Sequence, residues 1–143
     1  MPDHVVKLKH LHSMKLTLGN VNAMHHGHPW LEPLSANLSL LHFHGVISDS
    51  RVIMSTKWTP KNLTHLKLIR FELLDDPMLV LEKLHNLKWL FLSFGSYTWR
   101  SMVCSKGGFP ELLYLKFEEL ELQEWNIKEQ AMPRLVEFEV KKC

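Results

Sequence analysis

Residues 87–92 read Leu-Lys-Trp-Leu-Phe-Leu, and residues 112–117 read Leu-Leu-Tyr-Leu-Lys-Phe. Both carry apolar residues at their first, fourth and sixth positions, L-x-x-L-x-L in shorthand. The second half of the unit alternates, which marks a short strand, because successive side chains leave a strand on opposite faces. The same unit recurs in both directions. Upstream it is Leu63-x-x-Leu66-x-Leu68 and Leu11-x-x-Met14-x-Leu16, and downstream Leu135-x-x-Phe138-x-Val140. A degenerate copy, Ser35-x-x-Leu38-x-Leu40, fills the gap between the first two. With the middle apolar residue as marker, the copies fall at 14, 38, 66, 90, 115 and 138, in steps of 24, 28, 24, 25 and 23.

A recurrence at ~20–29 residues is that of leucine-rich repeats. One strand and its return segment cannot bury an apolar face alone; stacked neighbours can. The predicted fold is therefore α/β, a leucine-rich-repeat solenoid spanning residues 1–143 with about six repeats. A parallel sheet is expected on its concave face, and short helices and loops on its convex face. Strands are predicted near 12–18, 36–41, 64–69, 88–93, 113–118 and 136–141. Among the return segments, Asp75-Asp76-Pro77 before Met78, Leu81 and Leu84 predicts a short helix, with Asp76 as N-cap and Pro77 opening it. A second helical turn is expected over Leu122–Ile127, with Trp125 packing inward. Residues 19–29, 48–56 and 95–108, rich in Gly, Ser, His and Asn, read as loops. Five positions after each marker, regular repeats place Asn or Cys. Here the residues are Gly19, Phe43, Phe71, Gly95, Leu120 and Cys143, so apolar packing rather than an asparagine ladder is expected to hold the turns.

Composition narrows the functions. A net charge of +2, with 22% charged and 45% hydrophobic residues, gives no electrostatic footprint for nucleic acid or an anionic membrane. The longest apolar run, Met78 to Leu81, is far short of the ~20 residues a membrane span needs. Asp3, His4, Lys7, Lys9 and His10 interrupt the start of the chain, so no signal peptide is expected. Two cysteines, Cys104 and Cys143, make no disulfide framework and suit a reducing, cytoplasmic setting.

The C-terminal 42 residues carry a more specific signal. Met102-Val-Cys-Ser-Lys-Gly-Gly-Phe-Pro110 leads into Leu112-x-x-Leu115-x-Phe117 and Glu124-Trp125. There follow Ala131-Met-Pro-x-Leu135-x-x-Phe138-x-Val140-x-x-Cys143. This resembles the C-terminal repeats of plant disease-resistance proteins of the coiled-coil, nucleotide-binding, leucine-rich-repeat (NB-LRR) class. Asn62-Leu63, residues 73–78 and Leu81-Glu-Lys-Leu84-His-Asn86-Leu87 extend the likeness to positions 58–143, and more weakly upstream. Gln130 stands where that family often has glycine, and His85 where proline is usual. The resemblance implies a part of an intracellular receptor of innate immunity and plant defense. Its repeats would hold a nucleotide-binding module inactive and sense a pathogen effector or an effector-targeted host protein. No G-x-x-x-x-G-K-[ST] loop occurs, and Ser105-Lys-Gly-Gly108 lacks the spacing to cradle phosphate. Neither a nucleotide-binding nor a coiled-coil domain is expected here, and no cofactor; ADP or ATP would bind only in a module elsewhere. The chain reads as a fragment or truncated copy, its first repeat starting at Val5, Val6 and Leu8 without a polar cap. The alternatives are a ubiquitin-ligase substrate adaptor of the F-box type, although no F-box-like helix precedes the repeats, and a stand-alone truncated scaffold.

The strand register places the variable residues on the concave face in three rows. The first reads Ser13, Asn37, His65, Trp89, Tyr114, Glu137; the second Lys15, Ser39, Lys67, Phe91, Lys116, Glu139; the third Thr17, Leu41, Ile69, Ser93, Glu118, Lys141. Neighbouring strands lie ~4.8 Å apart, so each row is a ladder of touching side chains. His65, Trp89 and Tyr114 are expected side by side, with Ile69 and Phe91 diagonal to them. Lys67 and Lys116 would flank Phe91, and Glu118, Glu137 and Glu139 would give an acidic edge. Large aromatic residues on an open face are what hot spots of protein binding consist of. The alternative is that Trp89 and Phe91 cover the 94–108 loop or pack on another domain.

Other groupings carry less. His25, His26 and His28 are close in sequence, with Glu32 the nearest carboxylate, but no C-x-x-C or H-E-x-x-H accompanies them and no metal is expected. Histidines 10, 12, 42 and 44 alternate as exposed sheet residues do. No G-x-S-x-G or paired-carboxylate signature supports catalysis, and Glu118 and Glu119 point apart if extended. Cys104 is expected to be an exposed, ordinary thiol.

Overall fold

A computed structural model describes residues 11–20, 38–46, 62–70, 76–93 and 100–142. In chain order its elements are β1 (Ser13–Asn20), β2 (Leu40–Val46), β3 (His65–Ile69), α1 (Met78–Leu81), β4 (Trp89–Ser93), β5 (Ser101–Cys104), β6 (Tyr114–Glu118), β7 (Glu124–Ile127) and β8 (Glu137–Lys141). Six strands form one parallel sheet in the order β1-β2-β3-β4-β6-β8, and β5 pairs with β7 in a second parallel sheet. The strands stack as a leucine-rich-repeat solenoid, and among the described residues α1, β5 and β7 form its back layer.

The inward face of the main sheet is built from three columns, one for each apolar position of the repeat. Leu38, Leu63, Leu87 and Leu112 are buried; so are Leu41, Leu66, Leu90 and Leu115; so are Phe43, Leu68, Leu92 and Phe117. Met78, Leu81, Leu84, Met102, Cys104, Phe109, Leu120 and Met132 complete the core from the other side. Burying each of these larger side chains contributes roughly 1.5–3 kcal/mol. At β8 the columns reach Phe138 and Val140, which are 42% and 48% exposed. There Phe138 meets Phe117 edge-on at 5.4 Å and Trp125 at 4.9 Å between ring centroids.

One hydrogen-bond pattern fixes the register. The carbonyl two residues before each marker accepts both N–H groups at the start of the next strand. His12 receives Ser39 and Leu40, Ser39 receives Thr64 and His65, and Thr64 receives Lys88 and Trp89. Lys88 then receives Leu113 and Tyr114, and Leu113 receives Val136 and Glu137. The hydroxyls of Ser39 and Thr64 donate into the same ladder, each at 3.0 Å. A left-handed residue four places after the marker turns the chain out of the sheet, at Arg70, Glu119 and Lys142.

This pattern corrects the second repeat. Met14 pairs with Leu41, and Leu41 with Leu66, so the marker is Leu41 and the unit is Leu38-x-x-Leu41-x-Phe43. The predicted strand at 36–41 is displaced to 40–46, and Phe43 is a core residue of the strand rather than a turn residue. Leu38 remains buried, at the first position of the motif where the fourth was expected. β1 also runs on through Gly19, where a loop was expected.

The back layer differs from expectation in two places. Residues 124–127 form β7, not a helical turn, although Trp125 does pack against the core. Within the expected 95–108 loop lies β5. Helix α1 begins at Met78, one residue later than predicted, so Pro77 and not Asp76 stands at the N-cap; Asp76, one residue outside, accepts from the Met78 N–H through Oδ1 at 2.9 Å. Its other oxygen accepts from Val103 N–H at 2.8 Å, and Glu82 Oε2 accepts from Ser105 N–H at 2.8 Å. Among the described residues β5 pairs only with β7, and at these two amides the carboxylates of Asp76 and Glu82 are the acceptors. Burial raises the Asp76 pKa, its two amide bonds pull it back, and the Glu82 charge adds to the rise. Gly108 is required by this arrangement, because a Cβ there would stand 2.7 Å from Glu82 Oε2.

Two outcomes follow. Gln130 has φ 61°, and Gly107, at the same repeat position, has φ 73°. A side chain in this region costs ~1 kcal/mol that glycine avoids. Gln130→Gly is expected to stabilise by about 0.5–1 kcal/mol and Gln130→Val to destabilise, read as Tm; a lower Tm for the glycine variant would show that the Gln130 side chain holds the turn. Asp76→Ala removes the charged acceptor of the Met78 and Val103 N–H groups and should cost about 2 kcal/mol, with faster amide exchange at Val103. Unchanged Tm and exchange would mean that packing alone seats β5.

Candidate functional site

The period of two sends every second residue of each main strand away from the core, and zero-stagger pairing lines these residues up. The register His65↔Trp89↔Tyr114↔Glu137 forms the first row, Lys67↔Phe91↔Lys116↔Glu139 the second, and Ile69↔Ser93↔Glu118↔Lys141 the third. All ten expected binding-face residues, namely His65, Lys67, Ile69, Trp89, Phe91, Tyr114, Lys116, Glu118, Glu137 and Glu139, therefore share the open face. The second repeat contributes Leu40, His42 and His44 to these rows, not Asn37, Ser39 and Leu41. The alternation of His42 and His44 was legible in the sequence, but their row was not, because it depends on the corrected marker.

The aromatic centre forms as expected, with one change. His65 stacks on Trp89 at 6.2 Å, and Trp89 on Phe91 at 6.1 Å between centroids. Tyr114 is 41% exposed and Trp89 half-buried, but Phe91 is only 7% exposed. The Lys67 ammonium lies 4.8 Å from the Phe91 ring centre and that of Lys116 5.2 Å, both within cation–π range. Phe91 is a base on which two lysines rest, not a free contact surface.

Charge runs across the strands. Toward β8, Lys116 meets Glu139 at 3.7 Å and Glu118 at 4.0 Å, and Lys141 meets Glu139 at 3.3 Å. The acidic edge is thereby partly neutralised, and such exposed pairs contribute little to stability. Toward β1, Lys15, His42 and Lys67 occupy one row. Burial lowers the His42 pKa from 6.5, and the charges of Lys67, Lys15 and His65 add to the effect. A lowered value favours the neutral form in the folded chain, so His42 supports stability above about pH 6.5 and withdraws that support as the pH falls through its folded value. A hollow of about 80 Å³ is lined by Trp89, Tyr114, Leu115, Lys116, Glu137 and Glu139.

The remaining groupings fall elsewhere. His10, the His25, His26, His28 group and Glu32 lie outside the described residues. Among the described residues no three His, Cys, Asp or Glu side chains are grouped to hold a metal, and no helix is long and apolar enough to cross a membrane. Glu119 turns away from Glu118 with φ 56° and reaches Lys142 at 3.8 Å. Cys104 is buried, not exposed. Burial pushes its thiol up to about 11; the Trp125 indole beside it pulls the other way, and the Glu82 and Asp76 charges add to the rise.

In-register parallel strands, the repeated carbonyl fork and one open face define a leucine-rich-repeat solenoid. In sequence it is similar to plant proteins named for disease resistance and disease susceptibility. Over 85 residues, 59% of its length, the chain is 47% identical to the probable disease resistance RPP8-like protein 2 of Arabidopsis thaliana. It is 46% identical over 83 residues to the disease susceptibility protein LOV1 of that plant, and 44% identical over 85 residues to its probable disease resistance protein RF9. The chain spans 8–9% of the length of these relatives. No family model and no solved structure matches it.

At about pH 8 a thiol with a pKa of about 11 is roughly one-thousandth ionised, and only the thiolate reacts. Cys104 is therefore expected to resist iodoacetamide in the folded chain and to react on unfolding in urea, followed by peptide mapping. Labelling of the folded chain at the rate of a free thiol would show that β5 opens.

Proposed function

We propose that this chain is the protein-recognition and autoinhibitory repeat region of a plant intracellular immune receptor. The observation that carries the reading is an aromatic group, His65, Trp89 and Tyr114, side by side on the open face of a repeat segment whose relatives are disease-resistance proteins. Rings on a rigid sheet bury large area with little loss of side-chain freedom, which suits a protein partner. The 80 Å³ hollow is too small for a typical ligand pocket of ~300–1,000 Å³. The chain acts as a non-catalytic binding module in the cytoplasm. Its partners are a pathogen effector or an effector-targeted host protein, and the nucleotide-binding module of the parent receptor, which would hold ADP or ATP.

The purified chain is expected to associate with the nucleotide-binding module of a disease-resistance protein of this class, measured by calorimetry. Trp89→Ala combined with Tyr114→Ala should weaken that association about tenfold or more, with circular dichroism unchanged. Undiminished binding by a folded double variant would remove the aromatic surface from the reading. No binding by the parent chain would remove the autoinhibitory role.

A further inference from the structure

Glu137 differs from the other acids of the open face. Glu139 is shared by Lys116 and Lys141, and Glu118 contacts Lys116. Glu137, by contrast, is exposed and makes no ion pair among the described residues. In the first row it follows Trp89 and Tyr114, so a carboxylate closes a line of two aromatic rings. All three line the same hollow, with Glu139 on a further wall. Lys116 also lines the hollow, but it rests on Phe91 and is held by Glu118 and Glu139, not by Glu137.

We propose that the hollow between Trp89, Tyr114 and Glu137 receives an arginine side chain presented by a protein partner. Its volume of about 80 Å³ has room for one side-chain end. A guanidinium is planar, so it can lie flat against an aromatic ring while its N–H fork meets a carboxylate through two parallel hydrogen bonds, a geometry that the point charge of an ammonium lacks. Glu137, which pairs with no cation among the described residues, disfavours a phosphate or carboxylate beside it. The partner's arginine would be read by Glu137 and stacked by the two rings, and the one row that holds Lys15 and Lys67 toward β1 would favour acidic groups elsewhere on the same partner. This assignment rests on the reading of the open face as a protein-binding surface.

The test uses the 143-residue chain, labelled with ¹⁵N, and the peptide acetyl-Gly-Arg-Gly-amide. Its counterpart carries citrulline, which has nearly the same shape without the charge. The arginine peptide is expected to shift the Trp89 indole signal, assigned through Trp89→Phe, and the amides of Tyr114 and Glu137, saturably. Citrulline should weaken the response about fivefold, the scale of one exposed ion pair, and so should Glu137→Gln. Glu111→Gln, at a carboxylate that pairs with Arg134 instead, should leave the response unchanged. Equal response to citrulline, full response in Glu137→Gln, or shifts confined to other strands would overturn the assignment. In the partner assay, sensitivity to Trp89→Ala with Tyr114→Ala but not to Glu137→Gln would keep the recognition surface and remove the arginine. Insensitivity to both would remove the underlying reading.

Discussion

In the main sheet each carbonyl two residues before a marker grips two amides of the next coil, and the same fork recurs five times from His12 to Leu113. Because the fork repeats without stagger, residues at equal repeat positions are forced to be neighbours. Leucine then sits beside leucine on one face, and variable residue beside variable residue on the other. A slip of one residue would turn each strand's leucines to the open side, so the apolar columns and the fork enforce the same register. With Leu41 as the second marker, the coils are 27, 25, 24, 25 and 23 residues long. That variation is absorbed in the return segments while the sheet stays in phase.

The return segments need not resemble one another, and they do not. α1 closes one coil, and β5 and β7 close the next two. Where a helix adjoins a strand, the amides of the strand's edge have no partner, and leaving them buried and unpaired would cost more than a single hydrogen bond contributes. Asp76 and Glu82 remove that cost at Val103 and Ser105. The same need explains Gly108, whose missing side chain leaves room for the Glu82 carboxylate.

The spacing of leucines made the solenoid legible, and with it the open-face placement of all ten candidate residues. The second repeat was misread for a physical reason. Leu38 and Leu41 are both apolar and stand three apart, which is the motif's own internal spacing, so the unit fits in two phases. Only the fork and the burial of Phe43 choose between them. Leu122 and Trp125 share that three-residue spacing and so suggest a helical face, yet β7 is a strand because β5 offers it an edge. Four-residue strands such as Ser101–Cys104 are too short for alternation to declare them. The burial of Phe91 was beyond the sequence too, since it depends on where two lysine side chains come to rest.

That burial ties together two functions that the strand period otherwise keeps apart. On most strands, inward residues carry stability and outward residues are free to change with the partner. At β4 the outward row is different, because Phe91 lies under Lys67 and Lys116, from the strands on either side. The stems of these lysines shield apolar area while their ammonium groups stay in water. Lys116 is in turn held by Glu139 and Glu118, so the cover over Phe91 is itself fixed by charge. The outward row at β4 is therefore apolar surface kept beneath two ammonium groups.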